Sequence, residues 1–169
     1  MITNSISLSL AAALLFTASL CPVAIAGGTE HHHAAHASSA APADQPFGRP
    51  GNPKKAARTI VVEMDDAMRF SPARIQVKQG ETLRFVVKNR GAVNHEMVLG
   101  TQDSLAVHAA MMRQHPGTAH DETSVAHVAP GKETSLVWQF TRAGSFPFGC
   151  LVPGHFEAGM HGDIDVRSK

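Results

Sequence analysis

Between residues 59 and 168 the chain alternates apolar and polar positions in short runs broken by turn residues. The stretch "RIQVKQGETLRFVVKN" shows the pattern: Ile75 and Val77 precede a Gln79-Gly80 turn, and Leu83, Phe85 and Val87 follow it. A period of two puts each apolar set on one face of a strand, so this reads as two half-buried strands. Further strand-like runs fall at 60–64, 96–99, 135–141, 145–149 and 162–166. Several short strands with no βα alternation predict an all-β fold, an antiparallel β-sandwich spanning residues 58–169. One stretch breaks the pattern. "DSLAVHAAMMRQH", residues 103–115, has Leu105, Ala109 and Met112 at helical spacing, Asp103 as a possible cap and Pro116 just beyond its end. It predicts one short inserted helix, followed by a loop through about Val125.

Upstream the patterning is different. Residues 1–26 hold no acidic or basic side chain, include an apolar run over 8–16, and end in "AIA". That is the pattern of a secretory signal cleaved after Ala26, and the run is too short for a comfortable membrane span. Leu20 ahead of Cys21 argues against a lipid anchor. Residues 27–57, rich in Gly, Ala, Ser and Pro with "HHHAAH" at 31–36, lack apolar periodicity and are expected to form a disordered, His-containing tail. The mature protein should be exported and periplasmic, without a membrane anchor.

Export makes the cysteines informative. With Cys21 removed, Cys150 is the one remaining thiol, in a compartment where small domains usually pair their cysteines. The 15 basic and 14 acidic residues nearly cancel, so no broad basic surface for nucleic acid is expected. Eleven His and seven Met stand beside no Tyr and a single Trp. That bias towards imidazole and thioether favours copper over hard cations.

The informative stretch is "GCLVPGHFEAGMHG", residues 149–162. In "SFPFGC" the residues Phe146, Phe148 and Cys150 share one parity, so the thiol should point with two core phenylalanines. A free thiolate is poorly solvated there, and coordination to a metal removes that cost. Pro147 removes a ladder donor, so its position must be at an edge or unpaired. "LVPG" then turns His155 back towards the sulfur, and "FEAG" returns Met160. One further His completes two imidazoles, a thiolate and a weak axial thioether, the donor set of blue-copper electron-transfer sites. His95 in "GAVNHEMVLG" is the candidate. Zinc is a poorer fit because thioether ligates it badly, and a thiol protease would leave Met160 without a role.

"FSPARIQVKQGETLRFVVKNRGAVNHEMVLG" and "FPFGCLVPGHFEAGMHG" resemble the cupredoxins, the plastocyanin and azurin superfamily, most closely the periplasmic copper-tolerance cupredoxins of CopI type. The resemblance covers roughly residues 59–168, and its Cys-x4-His-x4-Met loop is specific. It implies a Greek-key β-sandwich and one type 1 copper ion held by His95, Cys150, His155 and Met160. His161, directly after the axial Met, is a possible competing ligand.

A catalytic copper domain would need more. In the multicopper oxidases and copper nitrite reductases a histidine adjoins the cysteine and leads to a second site; here the neighbours are Gly149 and Leu151. A dinuclear centre needs two cysteines. The protein is therefore expected not to be an enzyme but a monomeric one-electron carrier. Its ligand loop "LVPGHFEAGM" carries one charge, Glu157, so a redox partner could dock briefly around His155. The alternative is copper sequestration or delivery. It rests on surplus ligands: His31, His32, His33 and His36 in the tail, and His108, Met111, Met112, His115 and His120 on or after the helix, with His108 and Met112 one turn apart.

Overall fold

The computed structural model describes residues 44–115 and 122–169, which fall within one compact unit. Ten strands form two five-stranded sheets. The first has the order β1 (Arg49–Pro50), β8 (Glu133–Gln139), β5 (Thr82–Asn89), β2 (Arg58–Asp65), β3 (Arg69–Ser71). The second runs β4 (Arg74–Lys78), β10 (His161–Arg167), β9 (Gly144–Gly149), β6 (His95–Leu99), β7 (Val125–Val128). The sandwich and the strands expected from alternation are present. Most neighbours are antiparallel, but each sheet holds one parallel pair, β2 with β5 and β4 with β10. The Gln79-Gly80 turn leads from β4 in one sheet to β5 in the other, so these consecutive strands do not pair.

Alternation fills the space between the sheets. Ile75 and Val77 of β4, Leu83, Phe85 and Val87 of β5, Leu136 and Trp138 of β8, and Ile164 and Val166 of β10 are all buried in one core. At the end of this core lie Phe148, Cys150 and Met160, each fully buried. The inserted helix α1 (Gln102–Gln114) follows β6 and is capped by Thr101, whose hydroxyl accepts the Ser104 N–H at 3.2 Å. Asp103 lies within its first turn and does not cap it. Among the described residues no helix is long and apolar enough to cross a membrane.

The expected boundary of the tail needs correction. Residues 44–57, expected within the disordered tail, carry β1 and a short 3-10 helix (Pro53–Lys55), and Phe47 is in the core, its ring stacked on Trp138 at 4.9 Å. A lone aromatic among Pro, Gly and Ala has no period to betray it. Gly48 lets this segment cross the sheet, since a Cβ there would collide with the Gln139 carbonyl. The loop after the helix ends at about Val125 as expected, where β7, a strand that the alternation did not flag, begins and pairs with β6. The expected signal segment, His31–His36 and His120 lie outside the described residues.

Candidate metal centre

Three of the four predicted ligands meet at one end of the sandwich. His95 opens β6, Cys150 follows β9, and the first in-register pair between these strands, Val98 with Gly149, brings them side by side. Pro147 is tolerated because β6 departs at this point: beyond Leu99 only the Gly100 N–H reaches the Pro147 carbonyl, at 3.2 Å. The segment from Cys150 to Met160 closes on itself. The His155 N–H donates to the Val152 carbonyl, the Met160 N–H to the His155 carbonyl, and the Cys150 N–H to the Met160 carbonyl, each at 3.0 Å. Arg69 ties the outside of this loop, its guanidinium donating to the Ala158 carbonyl at 2.9 Å.

His95 Nδ1 and His155 Nδ1 are 3.2 Å apart, and Cys150 Sγ lies 3.9 Å from the first and 3.4 Å from the second. A transition-metal ion bound by imidazole and thiolate at about 2.0–2.3 Å sets such donors roughly 3.3–3.8 Å from one another. The triangle therefore fits a single ion. His95 is buried and His155 half-buried. The Met160 side chain is fully buried in the same core cluster as Cys150. His161 is exposed and its ring lies against Phe156, centroids 5.0 Å apart, on the outer face of β10.

The surroundings suit a cation. Burial pushes the Cys150 thiol up to about 11, although the Glu96 N–H donates to its sulfur at 3.5 Å. Burial, and then the neighbouring His95 ring, hold the His155 ring below its ordinary range, so it is neutral and can offer a lone pair. A neutral thiol beside the neutral His155 imidazole is a site that a soft cation completes by displacing the thiol proton.

Two acidic residues at the site escaped sequence reasoning. Asp66, on the loop after β2, meets His95 Nε2 through Oδ1 at 3.1 Å. Hydrogen bonds from the Ala92 N–H and from the His95 ring hold its carboxyl below the usual range. Glu96 is buried and accepts the Leu151 N–H at 3.0 Å, clamping the residue after Cys150. His127 approaches its other oxygen at 3.0 Å and His108 the first at 3.6 Å. Hydrogen bonding to Glu96 raises the His108 pKa despite burial. The signal available was the "HE" dipeptide on a strand, where alternation sends the two side chains to opposite faces.

The same contacts redefine the helix. His108 and Met112 do lie on one face, but it is the buried face with Leu105. Met111 is half-buried and His115 exposed.

A model of copper binding proteins of the plastocyanin/azurin family matches residues 57–167. The chain belongs to that family. Within these cupredoxins it is of the CopI type. It is 51% identical over 157 residues to the "Copper-resistant cuproprotein CopI" of Rubrivivax gelatinosus, covering 92% of this chain and 95% of that one. It is 36% identical to the protein of the same description from Pseudomonas aeruginosa, covering 73% of this chain and 83% of the relative. Among solved structures, auracyanin B superposes with a TM-score of 0.57 at 21% identity, covering 73% of this chain and 96% of its own. That likeness shows that the cupredoxin fold persists at low identity.

Proposed function

We propose that this protein holds one copper ion in a type 1 site formed by His95, Cys150, His155 and Met160. It transfers single electrons in the periplasm, in the setting of copper tolerance. The observation that carries this reading is the triangle of two imidazole nitrogens and one buried sulfur, with Met160 returned to the same core by the same loop. Copper supplies the one-electron Cu(II)/Cu(I) couple when bound. The chain's own residues do the rest. Cys150 provides an anionic sulfur shielded from water; the Glu96 N–H donates to that sulfur, the Glu96 carboxylate holds the Leu151 N–H, the Met160 carbonyl accepts the Cys150 N–H, and a thioether suits the weak axial position.

His155 is the ligand nearest solvent. Pro153, Gly154 and Ala158 of its loop are exposed, and Glu157 is the one charged side chain of that loop. Such a surface suits a redox partner that docks and leaves quickly, with the protein acting as a monomer. Cys150 lies between Gly149 and Leu151, with no adjacent histidine to lead to a second copper, which favours a carrier over an enzyme.

The test is a potentiometric titration of the copper-loaded parent beside Met160→Leu and Met160→Gln. Leu should leave copper bound and raise the potential, and Gln should lower it, because an oxygen donor favours Cu(II). Two variants that titrate like the parent would remove Met160 from the ligand set.

A second reading, copper sequestration or delivery, is favoured by the "Copper-resistant" description of the relatives. With His108 and Met112 turned inward, its donors are chiefly His31, His32, His33 and His36. Metal analysis after desalting should find more than one copper in the mature protein and one after removal of residues 27–43. A single copper in both would leave electron transfer alone.

A further inference from the structure

Asp66 sits where a side chain could set the properties of the buried histidine from behind. The His95 side chain is fully enclosed, whereas Asp66 is 42% exposed at the rim. The carboxylate is nevertheless held in place. It accepts the Ala92 N–H at 2.7 Å and the Val93 N–H at 3.4 Å, and its Oδ1 meets His95 Nε2 at 3.1 Å. Gly91 makes the approach possible, because a Cβ there would collide with the carboxylate. One acidic side chain thus joins the β2–β3 loop, the segment leading into β6, and the ring that faces the site.

From this geometry we infer that Asp66 is the positioning residue of the metal centre, fixing the His95 ring with its lone pair on Nδ1 and biasing the bound copper towards Cu(II). The inference rests on the copper reading above and deepens it. A carboxylate only accepts hydrogen bonds, so the ring proton must lie on Nε2. The free lone pair then falls on Nδ1, the atom facing Cys150 Sγ and His155 Nδ1. A neutral acceptor would fix the same tautomer. The negative charge does more: it enriches the imidazole and stabilises the ion with the extra positive charge more than the reduced one.

The experiment compares the full mature protein with Asp66→Asn and Asp66→Ala, folding being checked by thermal unfolding. In Asp66→Asn the amide oxygen can face His95, at the expense of the Ala92 hydrogen bond, so the tautomer survives without the charge. Nitrogen-15 NMR of the metal-free parent should show His95 protonated on Nε2, as should the Asn variant, while the Ala variant loses the single tautomer. After copper loading, Asp66→Asn should lose about tenfold in Cu(II) affinity relative to Cu(I). For one electron that is a rise of about 59 mV in reduction potential. A parent ring protonated on Nδ1, or potentials unchanged in both folded variants, would overturn the assignment. A copper-loaded parent lacking an intense visible band would instead sink the type 1 reading, and the metal-free NMR would still decide whether Asp66 orients the ring.

Discussion

Replacing Cys150 by Ser is expected to abolish the intense visible band of the copper-loaded protein and most of its tight copper binding. The band expected of a type 1 site arises from electron density passing from thiolate to copper, and a hydroxyl supplies neither the softness nor the charge. The proton bookkeeping gives the same substitution a second signature. In the metal-free protein burial holds the thiol neutral, with its pKa at about 11. Copper must therefore displace that proton at any ordinary pH. Below pH 11 the apparent affinity falls about tenfold for each unit of acidification, from the thiol alone. His155 contributes a further dependence only at lower pH, because its pKa is depressed below the usual imidazole value. Between about pH 7 and 9 the parent should show a slope near one in log affinity against pH. Competition titrations against a chelator at several pH values would measure it. The Ser variant should lose that slope along with the colour. A coloured Cys150→Ser protein would end the type 1 assignment.

Much of this centre could be read from sequence because Cys150, His155 and Met160 belong to one turn-rich segment. Their spacing is local, and local spacing is written in the chain. His95 was reachable because a strand start beside a Gly-containing turn is a recognisable place for a ligand. Asp66 and Glu96 were not reachable in the same way. Each acts through a partner distant in sequence, His95 for the one and Leu151 for the other; the pairing of β6 with β9 brings Glu96 to Leu151, and hydrogen bonds from Ala92 and Val93 bring Asp66 of the opposite sheet to His95. The helix makes the complementary point. The spacing of His108 and Met112 correctly placed them on one face, but whether that face met copper or protein depended on Glu96 and Glu122 across from it.

The longest-range packing was also the hardest to foresee, and it yields the second large effect. Phe47→Ala is expected to destabilise the metal-free protein by about 3–5 kcal/mol, the usual range for deleting a buried phenylalanine ring. Phe47 is 2% exposed, stacks on Trp138 with an interplanar angle of 18°, and lies 6.1 Å from the Phe146 ring. Trp138 belongs to β8 in one sheet and Phe146 to β9 in the other, so the ring spans the opening between the layers. Truncation leaves both aromatics facing a cavity that rigid strands cannot close. The loss should spread to β1, whose two residues pair only with β8. Chemical denaturation of metal-free protein is the appropriate measurement, since bound copper would add its own stabilisation. The ligand triangle involves none of these rings, so the visible spectrum of copper-loaded Phe47→Ala should match the parent. A loss below about 1 kcal/mol would mean that residues 44–57 contribute little to the folded domain, restoring the boundary near residue 58 that the sequence alone suggests.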